Sequence, residues 1–233
     1  MARVKYSAMV ADVRGSIGGA VFARNRGGAY VRNKTQPINP SSPLQQSIRA
    51  ILSSLNSAWL LLTVVQRSAW ALYAQNVPSK NVFGETVYLT GQNWYVNGNS
   101  ARLNAGLSRV DAAPTLFERS DPALIQSLTF DLTVGLTMEY DDTEAWCDET
   151  GSALLIYTSA AKSVGVNFFK GPYRYAGQVL GDDVAPPSSP VLIAVADIPQ
   201  PPTAVGQKIF VRAMIVRADG RTSVQTLSDV IVT

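Results

Sequence analysis

The sequence predicts an α+β protein: an N-terminal extended arm with a β-hairpin, then a helical hairpin, then a C-terminal antiparallel β-sandwich. Glycines and basic residues mark the first 40 positions, apolar residues then recur at helical spacing, and from about residue 125 they alternate with polar ones. Periods near 3.6 and 2 are typical of helices and half-buried strands. We place the arm at 1–40, a helical domain at 41–110, a linker at 111–124 and the sandwich at 125–233.

The arm contains two short apolar runs between glycines. Residues 20–23 and 29–31 have the composition of strands, and Arg24-Asn25-Arg26-Gly27-Gly28 between them predicts a hairpin turn, because Asn and Gly tolerate positive φ. A lone hairpin buries little and is marginal in water, so the arm needs a partner surface. Pro37-Ile38-Asn39-Pro40 holds the chain extended and ends the arm.

The arm is also basic, which suggests two kinds of partner. It lies either on an acidic protein surface of an assembly or on nucleic acid. Residues 15–19 are not a phosphate-binding loop, because no G-x-x-x-x-G-K-[ST] pattern is present there. The residues that we expect to dock on the partner are Arg14, Arg24, Arg26, Tyr30, Arg32 and Lys34.

A helical hairpin is predicted after the arm. Ser42, Pro43 and Gln45 signal a helix over about 43–60, and Thr63 with Gln66 forms a capping box for a helix over about 64–75. The apolar stripes are Leu44, Ile48, Ile51, Leu52, Leu55 and Trp59 in the first helix and Val65, Ala69, Leu72 and Tyr73 in the second, with Trp70 beside it. Thr90 caps a third helix over about 91–105, and a short strand is expected at 85–89.

The C-terminal part changes to a period of two. Alternation from Leu128 to Tyr140 predicts one half-buried strand, or two strands joined at Gly135. Further strands are expected at 153–158, 173–180, 190–196, 208–217, 223–227 and 230–232. In the strand at 208–217, the inward residues are Ile209, Val211, Ala213 and Ile215. Six or seven short strands with regularly spaced turns are typical of an antiparallel sandwich.

Residue counts restrict the chemistry. The chain has no histidine and one cysteine, Cys147, which excludes histidine-based triads, histidine metal ligands, internal disulfides and cysteine-rich zinc sites. Asp141, Asp142, Glu144, Asp148 and Glu149 form an acidic stretch, but the D-x-[DN]-x-[DN]-G pattern of a calcium loop is absent. We therefore expect no enzyme, no cofactor and no metal, a solvated acidic loop, and a buried Cys147 that acts as a small apolar group.

Charge is distributed unevenly between the two halves. Residues 1–110 hold 12 Lys and Arg against 2 acids, a net charge of +10, whereas residues 111–233 hold 8 against 15, a net of −7. This asymmetry predicts different surroundings for the two halves. No run of 18 apolar residues is present, and the first residues lack the apolar stretch of a signal peptide, so we expect no membrane contact and folding in a cytoplasm.

Several segments of the arm and helical hairpin together form a recognisable pattern within roughly residues 10–75: 16–22 (SIGGAVF), 24–32 (RNRGGAYVR), 37–40 (PINP), Gln45, Gln46, Arg49, Leu62, Thr63, Gln66, Arg67 and Trp70. This pattern resembles a group of poorly characterised tailed-bacteriophage and prophage proteins. This resemblance implies a virion structural role and assigns no catalytic residue. The last strands, with an Asp219-Gly220 turn, are similar in order to an immunoglobulin-like or fibronectin type III module, without the Cys-Trp-Cys pattern of true immunoglobulin domains.

The expected function is thus that of a bacteriophage virion structural protein, assembled in the host cytoplasm, that docks through its arm and displays a sandwich. A head decoration or cement protein, or a neck or collar protein, is favoured. A tail component (tube, hub or fibre attachment) and a nucleic-acid-binding protein that uses residues 1–110 are the alternatives. The expected partners are capsid, portal or tail proteins and copies of the chain itself, with DNA contact through the arm as the alternative.

Overall fold

The structure, a computed structural model, describes residues 2–7, 10, 12–36, 39, 41–81 and 83–233. These residues form three helices and several antiparallel sheets, which confirms the α+β class. By its contacts the chain divides into two compact units, which we call the first unit (residues 1–50 and 78–89) and the second unit (51–77 and 90–233). Pro37, Ile38 and Pro40, at the predicted end of the arm, lie outside the described residues.

The first unit is built on a four-stranded antiparallel sheet in the order β1-β4-β3-β2. Its strands are β1 (Ala2–Arg3), β2 (Gly15–Ile17), β3 (Ala20–Asn25) and β4 (Gly28–Asn33). The predicted hairpin is confirmed: Asn25 lies opposite Gly28, whose φ of +106° suits a residue without a Cβ. A two-stranded ribbon, β5 (Ser79–Lys80) and β6 (Thr86–Val87), belongs to the same unit.

The three helices are α1 (Pro43–Leu61), α2 (Val64–Asn76) and α3 (Gly91–Asn104), and each matches its prediction to within one residue at either end. The capping box of α2 is complete. The Gln66 amide N–H donates to Thr63 Oγ1 at 3.2 Å, and the Thr63 amide N–H donates to Gln66 Oε1 at 2.9 Å. Of the described helices, none alone has the length and hydropathy needed to cross a membrane; α1 and α2 pass that test only as a pair bent by 115°.

The predicted apolar stripe of α2 is only partly buried. Tyr73 is buried, as predicted, and so is Trp70 beside it, whereas Val65 is 78% exposed and Leu72 is 50% exposed. The reason is an aromatic cluster between α2 and α3: Trp70 packs edge-on against Tyr95, with ring centroids 5.6 Å apart, and Tyr73 packs against Trp94 in the same way. Aromatic rings carry more apolar area than the aliphatic residues beside them, so they set the orientation of the helix.

The strands of the second unit form two antiparallel sheets. A three-stranded sheet, in the order β12-β8-β7, contains β7 (Ile125–Asp131), β8 (Gly135–Tyr140) and β12 (Val191–Ala194). A five-stranded sheet contains β9 (Ala153–Thr158), β10 (Lys162–Ser163), β11 (Arg174–Leu180), β13 (Gln207–Val216) and β14 (Thr226–Ile231). The run from Leu128 to Tyr140 is two strands, and Gly135 starts the second with a φ of +126°.

Both sheets contribute to one apolar core. Phe130, Leu136 and Met138 from the three-stranded sheet belong to the same buried cluster as Ile156 and Val211 from the five-stranded sheet. The predicted inward residues of β13 are confirmed, since Ile209, Val211, Ala213 and Ile215 are at most 1% exposed. The opposite face of β13 is also covered, because Phe210 is only 6% exposed, and Ala101 of α3 and Ala105 just after it belong to the same buried cluster as Val216.

The compact units divide the predicted helical domain: residues 41–50 and 78–89 group with the arm, and the rest groups with the strands. The segment 111–124, predicted as a linker, is held by contacts within the second unit. The Trp70 indole N–H donates to the Asp111 carbonyl at 3.0 Å, and the Tyr73 hydroxyl donates to the Glu118 carbonyl at 3.0 Å. The Arg119 guanidinium donates to the Ser223 carbonyl at 2.7 Å. A segment with linker-like composition is thus tied to α2 on one side and to the strand region on the other.

Candidate docking surface

The register of the four-stranded sheet separates its side chains into two faces. Directly opposed residues of neighbouring antiparallel strands point to the same face, and residues along one strand alternate between faces. One face therefore carries six apolar side chains from all four strands, which we call the apolar face: Ala2, Ile17, Ala20, Phe22, Ala29 and Val31. An open depression of about 590 Å³ lies at the end of β4, and its lining residues are Ala2, Val31, Arg32, Asn33 and Thr35.

The described part of the first unit has no buried residue. All the fully buried apolar side chains of the described chain, beginning with Leu55, belong to the second unit. Ile17 on the apolar face is 70% exposed. Sheets normally gain stability from a buried face, so an apolar face without a core is a surface suited to a partner.

The six predicted docking residues lie at different places on this unit. Tyr30 and Arg32 of β4 share the face opposite the apolar one, whereas Arg24 of β3 lies at the end of the apolar face. Arg26 is in the hairpin turn, Arg14 precedes β2 and Lys34 follows β4, where its amide N–H donates to the Gly19 carbonyl at 2.8 Å. The structure therefore brings Tyr30 and Arg32 together but separates them from Arg24. Their docking role stays a prediction.

The first unit is strongly basic. It has nine Lys and Arg residues against two acids, a net charge of +7, and the second unit has eleven against fifteen, a net of −4. Both acids of the first unit are paired: Asp12 accepts from Arg14 at 2.8 Å, and Glu85 contacts Lys5. Among the described residues, Arg24, Arg26, Arg32 and Lys34 form no ion pair, so their charge is available to a partner.

Sequence reasoning missed three residues of this surface. Arg3 lies opposite Tyr30, on the same face, and its guanidinium donates to the Gly27 carbonyl. Ile17 and Phe22 lie on the apolar face. The runs Ala20-Val21-Phe22 and Ala29-Tyr30-Val31 predict strands but do not alternate apolar with polar residues, so the apolar face follows from the strand register and not from a local pattern. Nothing local predicts that Arg3 pairs with β4.

Within the acidic stretch, the first two carboxylates stabilise loops. Asp141 accepts from the Thr143 amide at 3.0 Å and from the Thr143 hydroxyl at 2.6 Å, and these hydrogen bonds lower the pKa of Asp141. Asp142 accepts from the Ser189 amide at 3.2 Å. Across the described residues, no group of three or more acidic or cysteine side chains is placed to hold a metal ion.

The last carboxylates of the same stretch hold neighbouring segments together. Glu144 accepts from the Trp146 indole N–H at 2.6 Å and from the Leu124 amide at 3.2 Å, while burial raises the pKa of Glu144. Glu149 pairs with Arg217, which follows β13. The stretch is therefore more than a solvated loop, because these carboxylates link it to the residues before β7 and after β13.

Cys147 is fully buried, as predicted, and burial raises the pKa of its thiol to about 12. The thiolate is the form that reacts with alkylating agents. We expect iodoacetamide at pH 8 to modify Cys147 in the native protein roughly a hundredfold more slowly than in the urea-unfolded chain, as followed by intact-mass spectrometry. Equal rates in the two states would contradict the burial of this thiol.

Comparisons of the chain with protein-family models, curated proteins and solved structures found no match.

Proposed function

We propose that this chain is a structural protein of a tailed-bacteriophage virion, which docks on the particle through its first unit and displays the second. The observation that carries this proposal is that, among the residues of the first unit that the structure describes, none is buried. A four-stranded sheet with an apolar face and a basic charge, and without a core among those described residues, has the properties of a segment that is completed by a partner. The resemblance of residues 16–32 to virion proteins supports the same role.

The energetics of the apolar face favour a protein partner. Burying one fully exposed large apolar side chain contributes about 1.5–3 kcal/mol. Ile17 is 70% exposed and Phe22 and Val31 are half-buried, so covering all three would stabilise docking by an amount on the order of 3 kcal/mol. The surrounding cations, Arg24 and Arg26, would pair with acids at the rim of such a contact, where charge mainly increases the rate and specificity of association. No enzymatic role is part of this proposal.

We further propose that the strands of the second unit form an immunoglobulin-like or fibronectin type III-like sandwich. In the immunoglobulin arrangement the first, second and fifth strands share one sheet, and the third, sixth and seventh share the other. Without the two-residue β10 seven strands remain, and six of them follow that distribution: β7, β8 and β12 pair in one sheet, and β9, β13 and β14 in the other. β11 pairs with the edge of β9.

The position on the particle is tested by counting copies. Quantitative mass spectrometry of purified particles, made by the phage or lysogen that encodes the chain, would give the number of copies per virion. Hundreds of copies would indicate a head decoration or cement protein, and about a dozen a neck, collar or tail component, because ring assemblies have few subunits. Complete absence from the particles would refute the structural role.

Docking through the apolar face predicts a specific variant effect. Ile17→Asp places a charge on this face at a residue that is already 70% exposed, so the chain itself loses little stability. We expect roughly a tenfold to hundredfold loss of copies per particle, measured by the same mass spectrometry, because the charge would be buried against the partner. Val184→Asp, at an 87% exposed residue of the second unit, is the matched control and should leave the copy number unchanged. Equal incorporation of both variants would exclude the apolar face as the docking surface.

Nucleic-acid binding is the second candidate, and one observation favours it. Arg3, Tyr30 and Arg32 share a face of the sheet, and β1–β4 contain no acidic residue. Fluorescence anisotropy of the full chain with a short DNA duplex tests this candidate. Binding that weakens steeply with salt and is lost in Arg32→Glu would support it, whereas no binding at low salt would exclude it.

A further inference from the structure

We propose that two copies of this chain associate as a symmetric dimer through the bend between α1 and α2. The contact surface, which we call the helical corner, consists of Leu60, Leu61, Val64, Val65 and Leu72. All five residues belong to the second unit. Pairing through the helical corner is therefore separate from the proposed docking through the apolar face of the first unit.

The helical corner concentrates exposed apolar side chains. Leu60, Leu61, Val64 and Val65 are 72% to 85% exposed, and they are four of the six most exposed large apolar side chains among the described residues. Leu72 is 50% exposed and follows Val65 by two helical turns, so both lie on the same side of α2. Single exposed apolar residues are common on protein surfaces, but a contiguous cluster marks an interaction site.

The packing of the two helices imposes this exposure. The inward sides of α1 and α2 are buried at Leu55, Leu62, Trp70 and Tyr73. Turning the outward side of α2 inward would remove Trp70 from Tyr95, whose ring centroid lies 5.6 Å away. The capping box of Thr63 and Gln66 fixes the start of α2 at the bend. A partner therefore meets a preformed surface, which reduces the entropic cost of association.

The apolar area of the helical corner is close to what a small homodimer interface needs. Fully burying a leucine or valine removes about 100 Å² of apolar surface from water, so the exposed parts of these five side chains supply on the order of 350 Å². The smallest stable interfaces bury about 600 Å² per partner, of which about 65%, or roughly 400 Å², is apolar in homodimers. Exposed Ser57, Ser68 and Gln75 adjoin the helical corner and would form the polar rim.

The near absence of charge in this region favours a second copy as the partner. Between Arg49 and Lys80 the only charged residue is Arg67, whereas the first unit has a net charge of +7 and the second unit a net of −4. A two-fold contact places the same patch on both sides, so a charged patch would meet its own charge. The helical corner lets two copies meet without that repulsion.

A lipid surface fits the helical corner less well than a second copy does. Helices that lie in a membrane interface carry many Lys and Arg residues on their polar side, which attract anionic headgroups. Here α1 and α2 contain one basic residue each, Arg49 and Arg67, and Arg67 is half-buried. The two helices therefore offer an apolar surface without the cations that membrane binding uses.

Sedimentation velocity of the full chain, from about 1 to 100 μM, tests the dimer. We expect a species of twice the 25.0 kDa chain mass. Val65→Asp should weaken dimerisation at least about tenfold, because its carboxylate would be buried in the contact. The monomer should remain folded, since position 65 is exposed and an acid in the first turn of α2 suits the helix dipole. Val184→Asp, the same change at an 87% exposed residue outside the helical corner, is the matched control and should dimerise like the wild type.

Three results would overturn the proposed dimer. The first is a wild-type chain that stays monomeric up to about 100 μM, and the second is equal dimerisation of Val65→Asp and Val184→Asp. The third is flotation of the monomeric wild type, but not of Val65→Asp, with phosphatidylglycerol vesicles, which would assign the helical corner to a lipid surface. None of these results bears on docking through the first unit, which the copy number of Ile17→Asp tests separately.

Discussion

Gly98→Ala is expected to destabilise the second unit by about 2 kcal/mol in net terms. Gly98 lies in the middle of α3, and a Cβ built there would sit 2.2 Å from the Gly220 carbonyl oxygen, which real contacts do not reach. The obstacle is backbone in the turn after β13, so it cannot swing away like a side chain. Overpacking costs about 1–3 kcal/mol or more, and the better helix propensity of alanine offsets about 1 kcal/mol of that.

Urea denaturation of the full chain, followed by tryptophan fluorescence, measures this change. Gly165→Ala is the matched control, because no other atom lies within 4 Å of a Cβ built there and its φ is not positive. It should alter the free energy of unfolding by less than about 0.5 kcal/mol. If Gly98→Ala were as stable as Gly165→Ala, α3 would not pack directly against the turn at Gly220.

Gly98 also shows which features the sequence can predict. In the sequence it is an interruption of a helix, and only the fold reveals that a turn more than a hundred residues away lies against it. Caps and turns such as Thr63 and Asn25 were predictable because their partners are at most three residues away. The exposure of Val65 and Leu72 was not predictable, since it follows from the aromatic partners that Trp70 and Tyr73 find on another helix.

The candidate docking surface was predictable in the same restricted way. Charge and glycine content located it in the arm, and the hairpin turn fixed the pairing of β3 with β4. The separation of Arg24 from Tyr30 and Arg32 depends on the strand register. If the turn shifted by one residue, the side chains of one strand would all point to the other face of the sheet. The contribution of Arg3 depends on the pairing of β1 with β4, and that pairing has no local sequence signal.

Arg102→Met is expected to lower the free energy of unfolding of the second unit by about 3–5 kcal/mol, which is more than the loss expected for Gly98→Ala. The Arg102 side chain is almost completely buried, at 3% exposed, and donates to three carbonyls. Its Nε bonds the Ser108 oxygen at 2.8 Å, and its Nη1 bonds the Gly151 oxygen at 2.8 Å and the Arg217 oxygen at 2.7 Å. Methionine keeps the apolar stem but leaves these acceptors without a donor.

Burial disfavours the charged guanidinium and lowers the pKa of Arg102. Removing the charge therefore regains some desolvation free energy, and this gain sets the lower end of the range expected for the loss of stability. Arg102→Lys should recover only part of the loss, because an ammonium cannot reproduce the planar fork that reaches separate carbonyls. Arg109→Met is the matched control on the same stretch. Arg109 forms a half-exposed ion pair with Asp111 at 2.7 Å. Removing this ion pair should lower the free energy of unfolding by less than about 1 kcal/mol.

The three carbonyls also explain why α3 and the strands belong to one compact unit. Ser108 follows α3, Gly151 precedes β9 and Arg217 follows β13, so a single guanidinium joins the helical part to the adjoining ends of two neighbouring strands of the five-stranded sheet. Amides in α3 and β13 should therefore open with the same free energy in native-state hydrogen exchange. In Arg102→Met, α3 should exchange faster than β13. Unequal protection in the wild type would instead favour a boundary near residues 111–124, with the helices folding apart from the strands.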